Sequence, residues 1–167
     1  MPSGRSRRAC GHRVVNWLET KVPPPVVALL SASAMWALAR VTPRLAVAQG
    51  ALDVAGVAVA VLGFGVEIAG IWAFWAARTT PNPLQPRHAS TLVTDGVYRF
   101  TRNPMYVGDV IILLAWAIHL GSVVAIIGVV GFVAYIDRFQ VRPEERALLE
   151  LFGSVYDGFR ARTRRWI

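Results

Sequence analysis

Three long apolar blocks dominate the pattern of hydrophobic and polar positions along the chain. Residues 22–39 and 110–136 contain no charged side chain, and residues 54–77 contain one, Glu67. A helix needs about 20 apolar residues to cross the hydrocarbon core of a bilayer, and an open sheet would leave backbone groups unpaired there. The pattern therefore predicts an all-α, polytopic membrane protein, with a first helix near 24–40 and a second near 51–77.

The third block is too long for one crossing, because its residues would make a helix of about 40 Å. A helical hairpin broken at Gly121 and Ser122 divides it into helices near 105–120 and 122–137. This hairpin keeps the arginine-rich segments on either side of the block on the same face of the membrane. The chain is therefore expected to have about four transmembrane helices, the last two forming the hairpin.

An amphipathic helix is predicted after the hairpin, in "RPEERALLELFGSVYDGFRARTRRWI". Pro143 suits the first helical position, and Glu144 and Glu145 suit the first turn. Two glycines, Gly153 and Gly158, weaken the second half of this helix, where a bend is expected. Apolar residues recur every three to four positions and form a stripe: Leu148, Phe152, Tyr156 and Phe159.

The net charge of +8 is distributed unevenly along the chain. Arginine and lysine concentrate in residues 1–21, 78–102 and 137–167, and only Arg40 and Arg44 lie in the link between the first two apolar blocks. The positive-inside rule then makes both termini and the 78–102 segment cytosolic. Because these arginines flank membrane segments with few aromatic residues among them, anionic lipid head groups are the expected partners, and nucleic acid is not.

The domain division follows from the same pattern, with a basic cytosolic tail at 1–21 and a single membrane domain at 22–167. Cys10 is the only cysteine, so a disulfide framework or a cysteine-based metal site is excluded. The sequence at 46–48, Ala-Val-Ala, looks like a signal-peptidase site, but Pro43 and Arg44 interrupt the approach to it. Cleavage is therefore not predicted, and no metal site is expected.

A polar stretch, "DGVYRFTRNPMYVGD" at 95–109, interrupts the apolar sequence. Asn103 suits an N-cap and Pro104 the first helical position, so a helix should begin there with unpaired N–H groups that attract an anion. Arg99 and Arg102 add positive charge. The stretch alone also fits a plain helix cap with interfacial arginines and tyrosines.

The acidic pair Glu144 and Glu145 is predicted to lie on the same membrane face as this helix start. Two glutamates in a first turn commonly complement the helix dipole and do nothing more. Combined with the helix N-terminus and nearby tyrosines, they could instead hold a zwitterion, with its carboxylate at the helix end and its ammonium on a glutamate.

The two segments together, "STLVTDGVYRFTRNPMYVG" and "RPEERALLELFGSVYDGFRARTRRW", resemble the isoprenylcysteine carboxyl methyltransferase family, which lies within a wider group that includes membrane phospholipid methyltransferases. The resemblance covers about 78–166. It implies a small membrane enzyme that binds S-adenosylmethionine (SAM) in a cytosol-facing pocket and receives a lipophilic acceptor from the bilayer. Matched residue by residue, it assigns these positions to the cofactor: Ser90, Thr91, Leu92, Val93, Tyr98, Arg102, Asn103, Pro104, Met105, Tyr106, Glu144 and Glu145.

Two departures from the family pattern bear on the acceptor. The family's histidine before proline is Asn103, which cannot titrate and so argues against a general base there. The arginine that binds the substrate carboxylate aligns with Gln140, so Arg138 or Arg142 is predicted to orient the acceptor instead.

The acceptor predicted from these residues is a carboxylate, because a carboxylate needs no base at neutral pH and methyl transfer depends largely on positioning. An O-methyltransferase is thus favoured. The alternatives are a phospholipid amine or a small thiol as acceptor, a reductase-like enzyme, and a non-enzymatic membrane scaffold.

Three further polar residues lie within or beside the predicted helices. Glu67 is an ionisable group inside a membrane helix and is expected to face the helix bundle. Asp109 is expected to pair with a nearby arginine. His119, near the hairpin tip, is expected to be a structural histidine on the face opposite the proposed pocket.

Overall fold

A computed structural model describes Glu19, residues 21–77 and residues 91–167 of the protein. The helices of this described part are α1 (Pro24–Val41), α2 (Gln49–Ala76), α3 (Pro104–Leu120), α4 (Ile126–Ile136), α5 (Arg142–Phe152) and α6 (Ser154–Arg162). Three helical segments are long and apolar enough to cross a membrane, namely α1, α2 and the continuous helical stretch 123–152, and α3 is a shorter apolar helix. The predicted all-α, polytopic membrane architecture is confirmed.

The helical hairpin turns at the predicted position. Gly121 ends α3 with φ of 61°, a left-handed conformation that glycine adopts without steric cost. A short 3₁₀ turn, Val123–Ala125, leads into α4. The link between α1 and α2 is tied to this turn, because the Leu45 N–H donates to the Gly121 carbonyl oxygen at 2.7 Å. Thr42 and Ser122 hydroxyls lie 3.1 Å apart in the same place.

The helix after the hairpin is not separated from α4. A π-helical turn, Asp137–Val141, joins α4 to α5, so the backbone stays helical from 123 to 152. Pro143 explains the turn, because proline lacks the N–H that would bond to the residue four positions earlier and its ring would clash with that carbonyl. The continuous helical stretch ends at Gly153, whose φ is 51°, and the predicted bend occurs there. Gly158 lies inside α6 and does not interrupt it.

Close packing of α2 against α3 organises the bundle. Gly56, Gly63 and Gly70 are spaced by seven residues on α2, are buried, and each faces α3. At the centre, Gly63 packs against Gly108. A methyl group added to Gly108 would lie 2.9 Å from the Gly63 carbonyl oxygen. Small residues of this kind let two helix backbones approach in lipid. Gly65, another glycine of α2, faces open space.

The buried residues form two clusters. The larger lies between α1, α3 and α4 and includes Met35, Leu113 and Phe132. The smaller lies beyond the ends of the helices and joins Val93 and Tyr98 to residues of α6. Many large apolar side chains on the outer faces, such as those of α2, are exposed, as a surface in contact with lipid requires.

The α2–α3 contact predicts that alanine substitution destabilises the protein at Gly108 but not at Gly65. Replacing Gly108 by alanine should lower the free energy of unfolding by about 1–3 kcal/mol, because the methyl group would collide with the Gly63 carbonyl and the Glu67 side chain. Gly65→Ala, on the same helix pair but facing open space, is the control and should leave stability unchanged or slightly higher. Thermal denaturation in detergent measures both; equal melting temperatures for the two variants would contradict the packing described.

Candidate functional site

The two motifs meet where the first turn of α3 faces the first turn of α5. Tyr106, in the first turn of α3, donates its hydroxyl proton to Glu144 Oε1 at 2.7 Å. Gln140, in the π-helical turn, donates from Nε2 to the same oxygen at 3.2 Å. Gln140 is 2% exposed and Tyr106 is 6% exposed. A glutamate carboxylate is thus held in a defined position by two neutral donors.

Tyr98 is a second tyrosine near the Glu144 carboxyl group. Its ring packs edge-on against Phe74 of α2, with centroids 5.5 Å apart, and contacts Tyr156 and Phe159 in the smaller cluster. Burial raises the pKa of the Tyr98 hydroxyl, and the charge of Glu144 acts in the same direction. The hydroxyl therefore stays protonated throughout the physiological range and can act only as a neutral group.

Glu145 points away from Tyr106 and is clamped by two arginines. Arg102 Nη2 lies 2.9 Å from Glu145 Oε1, and both side chains are only 11% exposed. Arg165 binds the same carboxylate with two N–H groups, from Nε at 3.1 Å and from Nη2 at 2.6 Å. This hydrogen bonding raises the pKa of Arg165. Because all of these bonds are internal, Glu145 is engaged in holding the fold.

The residues 163–166, here termed the C-terminal strap, return to the start of α3. Arg164 pairs with Thr101 through a backbone bridge in which the Arg102 N–H donates to the Arg164 carbonyl at 2.9 Å. Asn103 occupies the N-cap position, as predicted, but its side chain does not cap the helix. Asn103 Nδ2 instead donates to the Arg165 carbonyl oxygen at 2.9 Å. The strap thereby covers the N-terminal end of α3.

One polar atom in this region has no partner among the described residues. Arg102 Nε is buried and makes no hydrogen bond there, although the same guanidinium binds Glu145 through Nη2. A buried N–H without an acceptor is unfavourable by about 1–3 kcal/mol, more for a charged group. It marks a place where an acceptor atom of a ligand would be stabilised.

The arginines expected to orient an acceptor are both ion-paired. Arg138 Nη1 lies 3.2 Å from Glu19, and Arg142 Nε lies 2.7 Å from Asp137. Asp137 also accepts from Arg165 Nη1 at 3.2 Å. An anionic acceptor at either arginine would therefore compete with an acidic side chain already in place.

The remaining predicted cofactor residues have different environments. Ser90 lies outside the described residues, Thr91 is exposed, Leu92 is half-buried, and Val93 is buried beside Tyr98. Pro104 and Met105 contact Gly70 of α2, so their side chains serve the α2–α3 interface. A polar cavity of about 390 Å³ lies close to this segment, lined by Thr94, Asp95, Arg99, Arg162 and Thr163.

The polar residues within the apolar helices are paired with one another. Asp109 hydrogen-bonds to Glu67, so the expectation that it pairs with an arginine is wrong; the glycine contacts bring the two carboxyl groups together. Glu67 faces α3, as expected of a group that turns towards the bundle. His119 Nδ1 lies 2.8 Å from Asp53, and its ring stacks on Trp116. These contacts fit the structural role expected of His119.

Sequence reasoning missed the contribution of Arg165 and the strap. The basic run at 162–165 offered only a charge pattern, which is equally typical of a tail at a lipid surface. The pairing of Arg165 with a glutamate 20 residues earlier depends on the turn at Gly153, and nothing in the local sequence indicates it.

The fold defines a multi-pass membrane protein with a cluster of polar residues at one end of its helix bundle. Comparison with known proteins agrees: residues 52–155 match the phospholipid methyltransferase (PEMT) family, and the chain belongs to this family. The family is one of membrane SAM-dependent methyltransferases, so membership implies methyltransferase activity. The resemblance seen in the sequence is thus confirmed at the level of the wider group of membrane methyltransferases.

A curated relative extends the comparison. An uncharacterized protein of Haemophilus influenzae is 40% identical over 63 residues, which cover 38% of this chain and the whole of that protein. No solved structure matches the chain.

The ion pairs of Arg102 and Arg165 with Glu145, here termed the arginine clamp, predict that removing Glu145 destabilises the protein more than removing an exposed acidic residue. Glu145→Ala should lower the free energy of unfolding by about 3 kcal/mol, because Arg102 would be left buried without its partner. It should also free the strap, so that trypsin cleaves after Arg164 or Arg165 faster than in the unmodified protein. Asp157→Ala is the control, since its pair with Arg160 is exposed and 3.7 Å long. Equal stability and equal proteolysis for the two variants would exclude the clamp.

Proposed function

We propose that the protein is a SAM-dependent methyltransferase that acts on an acceptor drawn from the membrane. The cofactor site would lie between the start of α3 and the first turn of α5. Two observations carry the proposal: hydrogen bonds join Tyr106 and Gln140 to Glu144, and the buried Arg102 Nε has no partner among the described residues.

The donor set fits the cofactor chemically. SAM carries a carboxylate, an ammonium and a sulfonium, so it needs one positive and one negative partner. Arg102 Nε offers a buried donor for the carboxylate, and the N-terminus of α3 adds partial positive charge nearby. Glu144 would supply the negative charge in its ionised form. Val93, Tyr98 and Thr91 belong to the same proposed site, whereas Pro104 and Met105 support it by packing on α2.

The protein's own residues would act mainly by positioning. When bound, SAM supplies an electrophilic methyl group on sulfur. Tyr106 and Gln140 fix the orientation of Glu144, and the arginine clamp on Glu145 fixes the turn of α5 that carries Glu144. Holding reactants in a reactive geometry can supply a large part of the acceleration of such a reaction.

The acceptor predicted from the sequence is a carboxylate held by Arg138 or Arg142, which makes the enzyme an O-methyltransferase. That assignment stays a prediction, and both arginines would first have to leave Glu19 or Asp137. The second candidate is an amine acceptor. A specific observation favours it: the half-buried carboxyl groups of Glu67 and Asp109 lie together between α2 and α3, and Asp109 is one helical turn from Tyr106.

Calorimetry on purified protein tests the cofactor site. SAM and S-adenosylhomocysteine should bind, and Glu144→Ala should weaken binding at least tenfold while the helix content stays unchanged. Tyr106→Phe should weaken binding less than Glu144→Ala does, because it removes one hydrogen bond that positions the Glu144 carboxyl group and leaves that group in place. Asp157→Ala, outside the site, should bind normally.

Other results would favour the alternatives. Unchanged SAM affinity in both Glu144→Ala and Glu145→Ala would refute the site. Absence of SAM binding with retained binding of NADPH would indicate a reductase-like enzyme. Absence of both, in detergent and in lipid nanodiscs, would indicate a scaffold.

We further propose that both termini and the site face the cytosol, in line with the distribution of arginine. Cys10, the only cysteine in the chain, is a natural reporter. A membrane-impermeant maleimide should label Cys10 in inverted vesicles and not in intact cells. In a Cys10→Ser background, Ala46→Cys should give the opposite pattern. Labelling of both positions from the same side would overturn the orientation.

A further inference from the structure

A long groove separates α1 from α2 on the membrane-embedded surface. Both helices pack on α3 but hardly touch each other, so α3 forms the floor of the groove. Its volume is about 830 Å³, and small or apolar residues of the three helices line most of it, among them Ala28, Ala32 and Ala60. This volume lies in the range typical of small-molecule sites.

Polar groups lie only towards the two ends of the lining. Asp53 and His119 mark one end, and Glu67 and Asp109 the other. Asp53 and Glu67 are 14 residues apart on α2, which corresponds to about 21 Å along the helix. The groove is therefore apolar along most of its length and polar at each end. An alkyl chain suits the apolar stretch, and a head group suits a polar end.

The end at Glu67 and Asp109 has the chemistry to recognise a cation. The two carboxyl groups hydrogen-bond to each other, and two adjacent carboxyl groups that share one proton carry one negative charge between them. Together they present negative charge within the membrane, where ionisable groups are costly and usually functional. No arginine or lysine is among the described residues that line the groove.

This end of the groove also adjoins the proposed cofactor site. Asp109 follows Tyr106 by three residues on α3, about 4.5 Å along the helix axis, and its charge acts on the Tyr106 hydroxyl. Tyr106 in turn holds Glu144. A head group at the carboxyl pair would therefore lie next to the residues assigned to the cofactor.

We propose that the groove binds a membrane amphiphile whose head group is an amine without a phosphate, with its alkyl chain between α1 and α2 and its ammonium at Glu67 and Asp109. Charge complementarity supports the amine. The absence of arginine and lysine from the described lining disfavours a phosphate, which would need a cationic partner. The proposal rests on the proposed function only in identifying this amphiphile as the methyl acceptor.

Photo-crosslinking in nanodiscs, with no SAM present, tests the binding. The probe is hexadecylamine with a diazirine in its chain, compared with the alcohol and carboxylic acid of the same chain and with a phosphatidylethanolamine carrying the same diazirine. Mass spectrometry should find the amine attached to groove residues at least tenfold more than the other probes. Equal labelling by the alcohol or acid would overturn the amine, and equal labelling by the phospholipid would overturn the phosphate-free head group.

Matched variants locate the head group. Glu67→Gln combined with Asp109→Asn should reduce amine labelling to the level of the alcohol, because the charge is lost while size is retained. Asp53→Asn, which removes a carboxylate at the other end of the groove, should leave labelling unchanged. Amine labelling that is the same in all variants would overturn the proposal.

A competition experiment on the unmodified protein covers the case in which the double variant does not fold. Unlabelled hexadecylamine should displace the amine probe, and hexadecanol at the same concentration should not; equal displacement would refute the site. SAM calorimetry on the same preparation separates the two hypotheses. If SAM binds and the amine probe does not label the groove, the groove proposal alone is refuted. If the amine probe labels the groove and SAM does not bind, only the cofactor site is refuted.

Discussion

The close approach of α2 to α3 is the constraint on which the rest of the structure depends. Gly63 and Gly108 have no side chain to separate the two backbones, so α2 lies directly against α3 along its length. That contact brings Glu67 beside Asp109 and places Pro104 and Met105 under Gly70. It also leaves α1 to pack on another part of α3, which opens the groove between α1 and α2. Small residues thus determine both the bundle and its cavity.

A division of roles between two adjacent glutamates follows from the helical geometry of α5. Successive residues of a helix point about 100° apart, so Glu144 and Glu145 face different neighbours. Glu144 faces Tyr106 and Gln140, two neutral hydrogen-bond donors. Glu145 faces Arg102 and Arg165 and forms ion pairs with both. The first is suited to binding, and the second to holding the strap against α3.

Much of the fold could be predicted from the sequence because lipid imposes a simple rule on it. Backbone groups must be paired within a helix and apolar side chains must face outwards, so long apolar blocks specify helices and their approximate ends. Gly121 and Gly153 were also identifiable, since chain reversals and helix ends favour residues that adopt positive φ. The pairing of "TRNPMY" with "RPEE" followed from topology and family resemblance together.

Tertiary structure alone decided which polar groups meet. Asp109 was expected to pair with an arginine but pairs with Glu67, because partner choice depends on the rotation of α2 against α3. Asn103 bonds to the Arg165 carbonyl and does not cap its own helix, because the strap returns from 62 residues away. The continuity of α4 with α5 depends on a π-helical turn that accommodates Pro143. The sequence by itself therefore determined the helices, their membrane environment and the general position of the site. Helix rotation and long-range packing, which local pattern does not encode, determined the partners of each charged residue and the groove.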